Sequence, residues 1–357
     1  MMALPRVCYL GAYRPDYPRN LILRRGLALH GIEVVECRVP RTLNTVGRVR
    51  ALWRQLPALA GDCDVIVLAE FGQSMAPAAW ALARRYRKRL IVDAFTSMYD
   101  SAVHDRGVAR PASLSALRYR LIDRLSLRLA DHVLTDTTAH AAYFHAEYRV
   151  RRRKLTPVPV GASREWFETP AAPAQPGAPL RVQFYGTYIP LHGVETILYA
   201  ADMLRERHDL EFELIGRGQT FGEMQALAHA LGLRNLTFCE PVPPADLPCR
   251  VAEADISLGI FGTTEKARRV VPNKVYQALA LGRAVITADT PALREAFTPG
   301  TDLLAVPPGD AGALATAIAT LADNPALCAR LGQAGRARME AEFDEAAVGR
   351  RLLEVLA

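Results

Sequence analysis

PNKVYQALALGRAVITAD, residues 272–289, reads as a helix handing over to a strand. Pro272 suits the first turn of a helix, where its missing N–H costs nothing, and Gly282 suits the left-handed position just past a helix end. The apolar, β-branched run AVITAD (284–289) then reads as a short buried strand. The same alternation extends backwards through LRVQFYG (180–186), a helix near 193–207, LEFELIG (210–216), a helix near 221–231, LTFCE (236–240) and DISLGIF (255–261). A run of helices follows it to the C-terminus. In the first half, VCYLGAY (7–13), IEVVECRV (32–39), DVIVLAE (64–70), RLIVDAF (89–95) and DHVLTDT (131–137) read as strands. Helical stretches separate them, the longest from about Leu114 to Ala130.

Strands alternating with helices at this spacing predict an α/β protein with doubly wound parallel sheets. TPAAPAQPGAP (169–179) is too rich in Pro, Ala and Gly to form a core element and reads as a linker. The expected organisation is a Rossmann-like domain over 1–168, the linker 169–179 and a second Rossmann-like domain over 180–342. A final helix, about 343–357, is expected to pack back on the first domain. Two such sheets meeting across a linker would face a central cleft, with ligands at the strand C-termini.

The 357 residues are half hydrophobic and 23% charged, as in an ordinary soluble protein. Six cysteines at 8, 37, 63, 239, 249 and 328 show neither CxxC nor metal-ligand spacing, which points to a reducing compartment. No apolar run approaches the length of a membrane span, and MMALPRVCYLGAY reads as a first strand, so a cytoplasmic location is expected. The net charge of +7 conceals an asymmetry. Residues 1–170 carry 27 Lys/Arg against 15 Asp/Glu, while the remainder carries 17 against 22. RRYRKR (84–89), RVRRRK (149–154) and the stripe Arg120, Arg124, Arg128 beside a leucine-rich face give the first half a positive surface. An anionic membrane surface is one expected partner; an arginine-rich solvated face over core-packing leucines is the alternative. Low aromatic content and the lack of a nucleic-acid motif argue against nucleic acid.

Only four residues are lysine, and two of them, Lys266 and Lys274, fall in EKARRVVPNKVYQALALG (265–282) with Arg268 and Arg269. A cation at a helix start opposes the helix dipole, which makes sense if an anion sits there. GTYIPLHG (186–193) and IGRG (215–218) each follow a strand and bring glycines to the same sheet edge. Asp62-Cys63-Asp64 looks like a metal-binding DxD, but its place just before a strand suits capping aspartates, and no metal site is expected.

Taken in order, these segments resemble the retaining glycosyltransferases of family 4 (glycosyl transferases group 1), which have the GT-B fold. The resemblance runs through FYGTYIPLHGVETIL (184–198), FELIGRGQ (212–219), LTFCEPVPPADLPCRVAEADISLGIF (236–261), PNKVYQALALGRAVITADTPALRE (272–295) and LLAVPPGDAGALATAIATLADNP (303–325). VPVGASREWF (158–167) matches the family's segment before the linker, and the rest of the first half matches more loosely. The resemblance implies a nucleotide-sugar donor, with a UDP- or GDP-sugar expected, and a saccharide or lipid-linked acceptor. It implies retention, no metal and no cofactor beyond the co-substrate.

By the same resemblance, Gly186, Thr187 and Lys274 would hold the donor diphosphate, and Gly216, Val242 and Gln277 the nucleoside. The family's Arg after the first glycine and Lys before the second are here Thr187 and His192. Its two glutamates, with seven residues between them, fall on Arg269 and Gln277. Lys266, Arg268 or Arg269 is expected to restore the lost positive charge. In the first domain DAFTSMYDSAVHDR (93–106) offers Asp93, Tyr99, Asp100 and His104 to orient or deprotonate an acceptor hydroxyl, and GAYRPDYPRN (11–20) brings Gly11 and Tyr13. The expected activity serves cell-surface polysaccharide, lipopolysaccharide or glycolipid synthesis, at the inner face of the membrane if the basic surface docks there. A nucleotide-sugar-binding pseudo-enzyme and an epimerase on the same fold are the alternatives.

Overall fold

The computed structural model describes residues 4–170 and 177–356. Most of the expected linker, residues 171–176, therefore lies outside the described residues. The chain begins β1 (Val7–Gly11), α1 (Pro18–Leu29), β2 (Val34–Arg38), α2 (Thr45–Leu59), β3 (Val65–Leu68), α3 (Ala76–Arg85) and β4 (Arg89–Asp93). It continues with α4 (Leu114–Leu129), β5 (His132–Thr135), α5 (Thr138–Tyr148), β6 (Leu155–Pro157) and α6 (Arg164–Glu168). Next come β7 (Leu180–Tyr185), α7 (Val194–Met203), β8 (Leu210–Ile215), α8 (Phe221–Leu231), β9 (Leu236–Cys239), α9 (Leu247–Val251) and β10 (Ile256–Leu258). The last elements are α10 (Asn273–Ala280), β11 (Ala284–Ala288), α11 (Pro291–Ala296), β12 (Leu304–Val306), α12 (Ala311–Ala322), α13 (Pro325–Glu342) and α14 (Glu345–Leu356).

These elements form two compact units, one running to Gly161 and resuming at Glu345, the other Ala162–Asp344. Unit 1 holds a six-stranded parallel sheet in the order β2-β1-β3-β4-β5-β6. Strands buried on both faces need continuous apolar runs, and Val65–Leu68 is entirely buried. Cys8, Cys37 and Cys63 lie in that core as free thiols. The terminal α14 belongs to this unit and lies along α1. Gly26 and Gly349 meet there so closely that a Cβ on Gly26 would come within 2.9 Å of Gly349 Cα. Arg25 pairs with Glu345 at 3.1 Å, and Arg89 donates to the carbonyls of Val355 and Leu356.

Unit 2 holds a second six-stranded parallel sheet, in the order β12-β11-β10-β7-β8-β9. Its core joins Val182 and Phe184 of β7 to Ile197 and Leu198 of α7 and Leu314 and Ile318 of α12. In each sheet the chain reverses its direction of growth once, between β1 and β3 and between β7 and β10. Crevices at such switch points, at the strand C-termini, are where ligands bind in open parallel sheets.

Two expectations shift. Pro272 sits just outside α10 in extended conformation (φ −72°, ψ 149°), so the helix opens at Asn273. Four leucines of α4 do not pack into a core. Leu114, Leu117, Leu121 and Leu125 range from 87% to 38% exposed, and the helix instead buries Ala116, Asp123, Ser126 and Leu127. Asp123 explains the inversion, since its carboxylate accepts from the N–H groups of Met98 and Tyr99 and from the Ser97 hydroxyl. A helix tied down by a buried carboxylate turns that face inward and leaves its leucines outside.

Candidate functional site

At the switch point of unit 2, β7 ends in Tyr185 and the chain turns at Gly186 with φ 150°, a conformation open to glycine. A Cβ there would fall 2.8 Å from Lys274 Nζ and 3.2 Å from His192 Cε1. Gly186, His192 and Lys274 are therefore neighbours around one point of open backbone. The next strand ends at Gly216 (φ 129°), where a Cβ would collide with the Gly186 carbonyl oxygen. The two glycine loops are joined by Gly186 N–H donating to Ile215 O (3.0 Å) and Tyr188 N–H to Arg217 O (3.0 Å). A third loop closes behind them, with Phe261 N–H donating to His192 O at 3.0 Å.

Lys274 is the unusual member. It is 5% exposed, and its Nζ has no hydrogen-bond partner among the described residues. The ammonium lies 3.8 Å from the centre of the Phe184 ring, a cation–π contact far weaker than the hydration it gave up. Burial holds its pKa well below the ordinary lysine value. The adjacent Asn273 Oδ1 is likewise buried without a partner. An unpaired ammonium in the first turn of α10, beside a glycine that exposes backbone, forms a receptor for an anionic group with several oxygens.

The other expected donor residues lie on unit 2 loops and on α10. Thr187 is exposed immediately after Gly186, and Val242 is half-buried in the loop after β9. Lys266 precedes a short helical turn (Ala267–Arg269) that carries Arg268 and Arg269 and packs through Ala267 against Leu191 and Ile260. Arg268 and Arg269 reach Glu265 at 3.8 and 3.9 Å, both long ion pairs. Gln277 is buried, and its side-chain oxygen accepts from the Tyr185 hydroxyl at 2.9 Å. Gln277, expected to meet the nucleoside, thus already has its amide oxygen engaged within the protein. Trp166 stacks on Tyr185 (6.4 Å, 15°) and covers that pair.

In unit 1 several expected acceptor residues turn out to be structural. Asp93 is completely buried and receives Arg19 Nε at 3.0 Å and Nη2 at 2.9 Å. Arg19, equally buried, spends its remaining donors on the carbonyls of Val158, Pro159 and Thr135. Asp93 is the counter-charge of a buried guanidinium, not a group open to an acceptor. Tyr13 is also buried, its hydroxyl donating to Glu36 at 2.5 Å, and burial raises its pKa. Gly11 turns at φ 148° with its Cα facing Ala69. Asp100 is buried and 3.0 Å from Nδ1 of His104, while His104 itself reaches solvent with Tyr99 edge-on at 5.2 Å. His104, Asp100 and Tyr99 therefore remain together on one turn, with His104 alone of the three exposed. The aspartates of the DxD segment serve Arg6: Asp64 accepts its backbone N–H at 2.9 Å, and Asp62 pairs with its side chain at 3.8 Å.

Three residues of this sheet edge escaped the sequence reading. Glu70, at the end of β3, is buried, and its Oε2 has no partner. Burial, reinforced by the Asp93 carboxylate, raises its pKa to about 8. Phe71 and Phe95 follow it and Asp93 on neighbouring loops. The available signal was a charged residue two positions past an apolar parallel strand, a place where solvent is scarce.

Comparison with known proteins matches both halves of the chain. The family model described as "Glycosyl transferases group 1" covers residues 179–324, and "Glycosyl transferase 4-like domain" covers residues 6–161. The MMP alpha-(1->4)-mannosyltransferase of Mycolicibacterium hassiacum is 24% identical over 231 residues, 64% of this chain and 54% of its own. The match thus spans about half the length of that curated relative. Among solved structures, sucrose-phosphate synthase from Thermosynechococcus elongatus superposes with TM-score 0.76 over 98% of both chains at 18% identity. Anabaena HepE, solved with UDP-glucose, does so with TM-score 0.74 over 99% of both chains at 16% identity. At these identities the structural likeness establishes the fold.

Proposed function

Since the chain belongs to the family 4 glycosyltransferases and has their GT-B fold, we propose that it transfers a sugar from a nucleotide sugar to a hydroxyl acceptor with retention of configuration. The buried, unpaired ammonium of Lys274 beside Gly186 carries this reading. A donor diphosphate supplies the oxygens that Lys274 lacks, and the charge developing on the leaving group strengthens that contact as the glycosidic bond breaks. Gly186 lets the phosphate approach the backbone, and Lys266, Arg268 and Arg269 add positive field from the adjoining turn. Neutralisation by these side chains supports a metal-independent transfer, with the acceptor hydroxyl attacking from the face the diphosphate leaves. A uridine or guanosine diphosphate sugar is the proposed donor. That Anabaena HepE was solved with UDP-glucose supports the uridine choice. A saccharide or lipid-linked acceptor, in the assembly of cell-surface polysaccharide or glycolipid, completes the proposal.

Turnover with a panel of UDP-, GDP-, ADP- and TDP-sugars and short oligosaccharide acceptors tests it. The expected outcome is acceptor-dependent release of one nucleoside diphosphate. Binding of a nucleotide sugar with no release under any acceptor would leave only a pseudo-enzyme. Gly186→Ala is expected to weaken diphosphate binding roughly tenfold by titration calorimetry, because strained backbone and a methyl group intrude on Lys274.

The exposed leucines of α4 favour membrane docking. Leu117 and Leu121 line a surface recess of about 340 Å³ together with Arg120, Arg124 and Arg128. Leucine flanked by arginine on one solvent-facing helix suits an anionic bilayer, where each arginine near the surface contributes about 1 kcal/mol. No described helix is long and apolar enough to cross a membrane. Arg120→Ala with Arg124→Ala is expected to reduce flotation with phosphatidylglycerol vesicles roughly tenfold. Equal flotation of wild type and variant rules the surface out.

A further inference from the structure

The C-terminal edge of the unit 1 sheet carries an arrangement that neither the fold nor the donor site requires. The loops after β1, β3 and β4 each contribute one aromatic ring: Tyr17, Phe71 and Phe95. Tyr17 is edge-on to Phe71 (centroids 6.2 Å, 63°) and to Phe95 (6.3 Å, 70°). None of the three is a core residue, and Phe71 is 54% exposed. Phe71 also adopts φ 56°, a left-handed conformation that bulky residues avoid. Holding an apolar ring out to water on strained backbone does nothing for folding, and such outliers gather at binding sites.

The polar groups around these rings have spare capacity. Glu70, next to Phe71, is 5% exposed with Oε2 unpartnered. Gln73, in the same loop, anchors its amide nitrogen on Thr96 O at 2.7 Å, bridging the β3 and β4 loops, and its Oε1 is buried without a partner. Glu70 Oε2 and Gln73 Oε1 thus lie buried and unsatisfied near the C-terminal ends of β3 and β4, where the hydroxyls of a ligand would satisfy them. The chemistry is selective. An anion would find no cation here, since the Arg19 guanidinium is spent on Asp93 and on the carbonyls of Val158, Pro159 and Thr135. An alkyl chain would leave both acceptors unpaired. A neutral ring with one apolar face and several hydroxyls uses everything present.

We infer that Tyr17, Phe71 and Phe95 form a platform for one pyranose ring of the acceptor, with Glu70 and Gln73 hydrogen-bonding its hydroxyls. This rests on the glycosyltransferase reading for the term acceptor, but the platform lies wholly in unit 1 and is separable from the donor site. Glu70 and Gln73 set which hydroxyls are recognised, and the rings supply sequence-tolerant stacking.

The test is saturation-transfer NMR on the full chain with methyl α-D-glucopyranoside and methyl α-D-mannopyranoside, beside calorimetric titration of UDP and GDP. Wild type is expected to bind at least one pyranoside. Phe71→Gly, which removes both ring and strain, is expected to weaken that binding roughly three- to tenfold with an unchanged or higher Tm. Glu70→Ala is expected to weaken it comparably, and neither change is expected to alter nucleotide binding. If no pyranoside binds, if both variants bind as wild type does, or if n-octanol competes at Phe71 where the sugars do not, the inference falls. A wild type that takes pyranosides but no nucleoside diphosphate would instead remove the donor reading and leave the platform standing.

Discussion

Lys274→Met is expected to weaken nucleoside diphosphate binding roughly 30- to 150-fold while making the protein more stable. The two effects have one cause. The ammonium is buried with only the Phe184 ring beside it, so the empty protein carries an uncompensated desolvation penalty. Methionine fills nearly the same volume without charge and relieves about 1–2 kcal/mol of that strain on the folded state. The diphosphate loses a charge-assisted contact of about 2–3 kcal/mol, which sets the fold-change in affinity. Calorimetry with UDP and GDP reads the first effect, and thermal denaturation reads the second. A fall in both Tm and affinity would make Lys274 a structural residue.

The pH dependence has a definite sign. Burial depresses the folded-state pKa of Lys274 below its ordinary 10.5. Below the depressed value folded and unfolded chains both hold the proton, and the full penalty is present. As pH rises from that value towards about 10.5, the unfolded chain retains a proton the folded one has shed, so stability increases. Lys274→Met abolishes this increase.

Asp93→Ala is expected to cost about 3–5 kcal/mol of stability, because it strands the guanidinium of Arg19 in a fully buried site. The carbonyls of Val158, Pro159 and Thr135 still accept from Arg19 but carry no opposing charge. Urea denaturation followed by circular dichroism measures the loss. An Asp93→Ala protein with wild-type stability and a large drop in turnover would instead return Asp93 to the acceptor chemistry first expected of it.

The contrast between Lys274 and Asp93 shows what was legible in the residues. Alternating runs such as PNKVYQALALGRAVITAD showed helix-to-strand order, because their periodicities differ and Gly282 punctuates them. Gly186 and Gly216 were recognisable because glycine after a strand allows conformations other residues resist. Lys274 stood out because a lysine at a helix start opposes the dipole. Burial was not legible. DAFTSMYD does not say that Asp93 is sealed against an arginine 74 positions away, nor does GAYRPDYPRN reveal that Tyr13 is spent on Glu36. The leucines of α4 show the same limit. Helical spacing reports one apolar face, and only the demand of Asp123 decides that this face points outwards. Glu70 and Phe71 read as a charged residue and an aromatic in a loop, since neither isolation nor backbone strain leaves a mark on composition.

A crystal structure of the chain with UDP or GDP tests the donor site most directly. The expected result places a phosphate oxygen about 2.7–2.9 Å from Lys274 Nζ, over the open backbone of Gly186. A nucleotide bound elsewhere, with Lys274 still resting unpaired on Phe184, would contradict it.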